Sequence, residues 1–236
     1  MGWYKRTRKN SKIEHFSREL LNELIPFIKN KSQTILGIQK AYFSNIFSNI
    51  NNIFLDLSFN KDKTNNYMTN NVSVAGKTIK GLNNSFLIKI VIYLSENANN
   101  NINPYLSKIY FDTLSIIRHE LEHLNQHNFN KNVKNYISDN FDYNSKQFPL
   151  HLKSYYLQQS EKPAFISGLY LKAKKQRKSF SLILEQSLIS EIEKALFLHY
   201  SRYLNKEKAS HLASQEAQSI KEEFLKEAKK RYQNIE

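Results

Sequence analysis

The stretch from Tyr105 to Asn128, YLSKIYFDTLSIIRHELEHLNQHN, constrains this chain more than any other. Its apolar residues Leu106, Ile109, Tyr110, Leu114, Ile116, Ile117, Leu121 and Leu124 recur at helical spacing. Pro104, just before it, suits a helix start. The pattern predicts a largely buried helix. Yet residues 118 to 123 read Arg-His-Glu-Leu-Glu-His, and polar groups on a core helix are costly unless something satisfies them.

His119 and His123 stand four residues apart and so project from one helix face. Two imidazoles at that spacing can hold one Zn²⁺. Glu120, one step round the helix, then reaches a water on the ion as general base. The competing reading is an exposed charged turn held by pairs such as Arg118 with Glu122. Zinc needs a third protein ligand. His127 continues the series at 119 and 123, but a helix turning about 100° per residue carries it off the shared face. The arrangement H-E-x-x-H-x-x-G-x-x-H places its third His after a helix-breaking Gly; here Asn125 and Gln126 fill the gap. His127 therefore reads as a residue behind the ligands or on the surface. Glu161 is the better candidate. Ser160 before it can cap a helix, and Pro163 is tolerated in a first turn. A Glu there also suits the helix macrodipole with no metal at all. Tyr155, Tyr156 and His151 lie near Glu161 in sequence and are candidates to stabilise an oxyanion, with packing as their competing role.

The string HELEHLNQH, followed by YYLQQSEKPAFISGL, resembles the gluzincin-type zinc metallopeptidases. In particular it resembles small phage and bacterial versions patterned as HEL-x-H-x-x-Q, then a Tyr, then E-x-x-A. The matching positions are His119, Glu120, Leu121, His123, Gln126, Tyr155 or Tyr156, Glu161 and Ala164, within residues 85 to 170. The resemblance implies that His119, His123 and Glu161 bind one Zn²⁺ per chain, that Glu120 is the base, and that the substrate is a peptide or protein. It implies an α+β, zincin-like fold, mostly helical, with a small β-sheet ahead of the motif helix.

Ser85 to Ser95, SFLIKIVIYLS, carries a strand signal. An edge strand at that place could pair with an extended peptide. Asn71 to Leu82 is expected to pair with it across Gly81-Leu82-Asn83-Asn84. Residues 11 to 30 predict an amphipathic helix bent at Pro26, and Thr34 to Leu57 a helix passing into a short strand at Ile53 to Leu57. Residues 60 to 71 read as loop. Asn128 to Gln147 reads as either a lid over a cleft or an Asn-rich insert. From Ser160 onward helices are expected to about Lys175, over Phe180 to Tyr203 and over Glu207 to Tyr232, the last being peripheral or contacting a partner. The expected segments are 1–59 (N-terminal, helical), 60–178 (catalytic core) and 179–236 (C-terminal, helical), packed as one domain.

The chain has no cysteine, so any metal must be held by His, Asp or Glu. No apolar signal segment opens it, and no stretch suits a bilayer span; a cytoplasmic location is expected. Five glycines and no phosphate loop argue against a nucleotide-binding α/β fold. A helical di-iron protein would need a second E-x-x-H, which is absent. The net charge of +14 allows electrostatic binding to nucleic acid or acidic surfaces. Its clusters lie at Lys5 to Lys12, Lys172 to Lys178 and Lys226 to Arg231. The alternative function is therefore a non-enzymatic basic protein, binding nucleic acid or assembling in a larger particle, with a structural or coincidental metal site.

Overall fold

The computed structural model describes residues 2–38, 43–61, 71–129, 142 and 144–232, apart from the side chains of 2–9, 61 and 127–129. It is a mixed α+β chain that divides into two compact units, Met1–Lys131 and Asn132–Glu236.

The first unit begins with helix α1 (Gly2–Asn30), which buries Ile13, Phe16, Leu20, Leu24 and Ile28. Pro26 lies inside the helix. Four strands follow: β1 (Thr34–Ile38), β2 (Asn52–Lys61), β3 (Val72–Lys80) and β4 (Ser85–Leu94). They form one sheet in the order β1-β2-β4-β3. β2 and β4 run parallel, while β1 and β3 are antiparallel to their neighbours. β4 alternates buried Phe86, Ile88, Ile90, Ile92 and Leu94 with half-buried residues, as a strand with one core face should. The β3–β4 hairpin is the expected one. Its turn places Asn83 and Asn84 at φ 52° and 54°, a conformation that asparagine tolerates in hairpin turns.

Two expectations need correction here. Thr34–Ile38 is a strand rather than the start of a helix; Thr34 to Ile38 pair with Leu57 to Ile53. A run of five with β-branched residues at both ends gains more from that ladder than from a lone helical segment. A helical turn does occur later, where Phe47 N–H donates to the Phe43 carbonyl. Second, β4 is not an edge strand. It lies between β2 and β3, and among the described residues β3 ends the sheet.

After a short helix α2 (Glu96–Asn100), Pro104 opens a single 3₁₀ turn that leads into α3 (Leu106–Phe129). The motif helix is thus where its periodicity puts it. Ile109, Leu114, Ile117, Leu121 and Leu124 are buried, and α3 packs on α1 and across β3 and β4. The expected loop at 60–71 and the candidate lid at 128–147 fall largely outside the described residues.

The second unit is helical: α4 (Phe148–Leu157), α5 (Glu161–Gln176), α6 (Phe180–Leu184), α7 (Ser190–Tyr200) and α8 (Lys206–Arg231). A π-helical segment, Glu185–Ile189, joins α6 to α7 without a break, so the expected helix from Phe180 is one run with a local bulge, ending at Tyr200. Ser190 Oγ donates to the Glu185 carbonyl inside it. Leu152, Ile166, Leu169, Ile183, Ile192 and Leu196 share one core with Ala213, Ala217, Ile220 and Phe224 of α8. The alanines let α8 approach α7 closely. No described helix is long and apolar enough to cross a membrane.

Candidate metal centre

α3 brings His119 and His123 together as their spacing requires. Their Nε2 atoms are 3.0 Å apart, with the rings edge to face at 78°. At that distance one ring can donate to the other. A shared zinc with bonds of about 2.0–2.1 Å would hold the nitrogens about 3.3 Å apart, so the pair stands close to ligand spacing. His119 is 7% exposed and His123 half-buried.

Glu161 is the first residue of α5 and is buried. Ser160 occupies the cap position, but its side chain makes no capping hydrogen bond because its own backbone is already helical. Pro163 lies in the first turn, where its missing N–H costs nothing. Among the described residues, His119, His123 and Glu161 form a group able to hold a metal ion: one ligand atom from each lies within 4.8 Å of the others. Two imidazole nitrogens and one carboxylate oxygen make a donor set that suits a borderline divalent ion.

Glu120 is 3% exposed, and its two oxygens face different groups. Oε1 lies 3.9 Å from His119 Nε2. Oε2 accepts a hydrogen bond of 2.7 Å from the Thr78 hydroxyl on β3. The carboxylate is thus anchored by one oxygen while the other is turned toward the imidazole pair. Gly76, two residues back on the same face of β3, completes this arrangement. A Cβ there would collide with Ile116 Cγ2 of α3 and come within 3.4 Å of Glu120 Oε1. Glycine lets strand and helix approach at the level of the motif. Neither Thr78 nor Gly76 is among the residues singled out from sequence. An isolated glycine in a strand pattern signals close backbone approach, and Gly76 carries that signal.

The charged turn exists together with the histidine pair, not instead of it. Arg118 Nη1 donates to Glu122 Oε2 at 2.9 Å. This pair is not exposed: its side chains are 1% and 6% accessible. Of the remaining candidates, Tyr155 and Tyr156 stack edge to face 5.1 Å apart, and both pack on Phe165 within the second unit. His151 is exposed on α4 and outside the metal-holding group. The His127 side chain lies outside the described residues. Compared with protein-family models, with curated proteins and with solved structures, the chain matches none.

Proposed function

We propose that this protein is a zinc-dependent metallopeptidase of zincin-like α+β type, in which His119, His123 and Glu161 hold the ion. The observation that carries the reading is the meeting of those three donors beside a buried carboxylate that is not one of them. Zinc, when bound, acts as a Lewis acid and brings the pKa of a coordinated water to about 7.

The chain's own residues supply the rest. Glu120 Oε1, turned toward the histidines, takes a proton from the attacking water and passes it to the leaving amine nitrogen. Thr78 keeps the other oxygen from swinging away. β3 ends the sheet among the described residues, and its outer backbone groups can pair with an extended peptide laid beside α3. Burial around Arg118, Glu120 and Glu122 limits access of bulk water to the motif.

The test uses protein purified without a histidine tag. Elemental analysis should give about one zinc per chain. Glu120→Gln should keep the zinc and lose hydrolysis of a peptide library by about 10²-fold or more. Glu161→Ala should lose the zinc. A metal-free wild-type protein, or a Glu120→Gln variant that cleaves at the normal rate, would refute the proposal.

A further inference from the structure

Two of the basic runs, 172–178 and 226–231, are separated by almost fifty residues in sequence. The second unit brings them to one end. Lys162 Nζ on α5 lies 3.8 Å from Glu223 on α8, and the Phe165 and Phe224 rings are 6.4 Å apart. Further along α5, and just past the end of α8, Tyr232 Oη is 3.3 Å from Ser167 Oγ, and the Tyr170 and Tyr232 rings stack at 3.8 Å. The contacts advance together, so α5 and α8 run parallel here, and α8 ends alongside the second half of α5. Lys174 lies one turn past Tyr170, about 6 Å along the axis. Lys229, Lys230 and Arg231 immediately precede Tyr232.

Residues 172–178 and 226–232 hold nine basic residues against one acidic, a net of +8 out of the chain's +14. The acid, Glu227, binds Arg231 at 3.0 Å and lies 3.9 Å from Lys230. Helix macrodipoles favour a cation or two in each last turn. They do not explain Arg177 and Lys178, which lie beyond the end of α5. Gathering like charges costs self-repulsion, which a bound polyanion relieves.

We propose that the joined ends of α5 and α8 form a binding surface for the phosphate backbone of nucleic acid, carried by Lys174, Lys175, Arg177, Lys229, Lys230 and Arg231. Among the described residues, no large apolar side chain is exposed in either last turn. An insertion into lipid would need one, whereas a phosphate backbone needs only cations. The surface reads charge rather than base sequence, and it is independent of the metal centre.

The test is fluorescence anisotropy of the full-length protein with a labelled 20-base-pair duplex. Binding at 50 mM salt is expected, with log K against log salt sloping at about −4 to −6 for some five to seven phosphates. Replacing Lys174, Lys175 and Arg177 by Gln should weaken binding at least about tenfold and flatten the slope by about two to three. Lys229→Gln with Lys230→Gln should do the same in proportion. Lys174→Arg with Lys175→Arg should retain binding, which separates lost charge from lost folding. Binding should persist in Glu120→Gln and with chelator present. The inference is overturned by no binding at 50 mM salt, by unaltered affinity in the Gln variants, or by an equal loss on neutralising Lys5, Arg6 and Arg8. Tighter binding to vesicles of anionic lipid than to the duplex would overturn it in favour of a membrane surface.

Discussion

Replacing Thr78 by Val isolates the hydrogen bond that β3 makes with the proposed base. The two side chains have nearly the same volume, so no cavity opens. What changes is that Glu120 Oε2 loses a donor at 2.7 Å while only 3% of the residue is exposed. A hydrogen bond to a charged, buried group contributes about 1.5–3 kcal/mol, and leaving the acceptor unsatisfied sets the loss toward the upper end. For a unit of this size that corresponds to a fall in melting temperature of about 5–10 °C, measured by circular dichroism with and without zinc. Zinc stoichiometry should not change, since Thr78 is not a ligand. Turnover should fall more than stability alone explains, because a misplaced base costs rate, by about 10²-fold for a displacement near 1 Å. The loss should appear in kcat rather than KM. Thr78→Ser keeps the hydroxyl and should recover most of both losses. A Val variant that melts with wild type, or a Ser variant as impaired as the Val one, would refute the idea that this hydroxyl anchors Glu120.

Two further outcomes follow from buried pairs elsewhere. Arg118→Ala should destabilise the first unit by about 3–5 kcal/mol because it strands a buried Glu122 carboxylate, while combining Arg118→Met with Glu122→Leu should recover much of that loss in urea unfolding. In the second unit, burial first and then the adjacent Glu216 push the Tyr200 hydroxyl well above the usual phenol range. The folded state therefore favours the neutral phenol, and its stabilising effect is complete below about pH 10 and lost as pH rises further. Alkaline melting curves should show that decline in wild type and a shallower one in Tyr200→Phe.

How far the sequence exposed these features depended on the range of the interaction involved. The α3 helix and its histidine pair were legible because one long periodic stretch contains both the core positions and the ligand spacing. The β3–β4 hairpin was legible because Asn83 and Asn84 supply the turn locally. Thr34–Ile38 was not, since five residues offer too little periodicity to separate strand from helix, and the deciding partner, Ile53–Leu57, lies beyond them. Thr78 was invisible for the same reason at greater length. A threonine in a strand is an ordinary β-former until the register sets it opposite Ile88, on the face that meets α3, forty-two residues from Glu120.

The polar row on α3 also bears on whether this helix is only structural. Arg118, His119, Glu120 and Glu122 are all buried on a helix whose remaining buried positions are mostly aliphatic. Stability alone does not favour such a row, because well-packed apolar side chains of similar volume commonly match or exceed a buried ion pair. Each polar group here instead has a specific neighbour: Glu122 for Arg118, His123 for His119, Thr78 for Glu120. Those neighbours reduce the desolvation cost without removing it, and they fix direction as well as energy. A row held in fixed directions at a stability cost is what a reacting centre requires and what a simple core helix would lose. If an all-apolar version of positions 118, 119, 120 and 122 proved no more stable than the natural chain, the row would be structural, and the case for chemistry on α3 would rest on the metal alone.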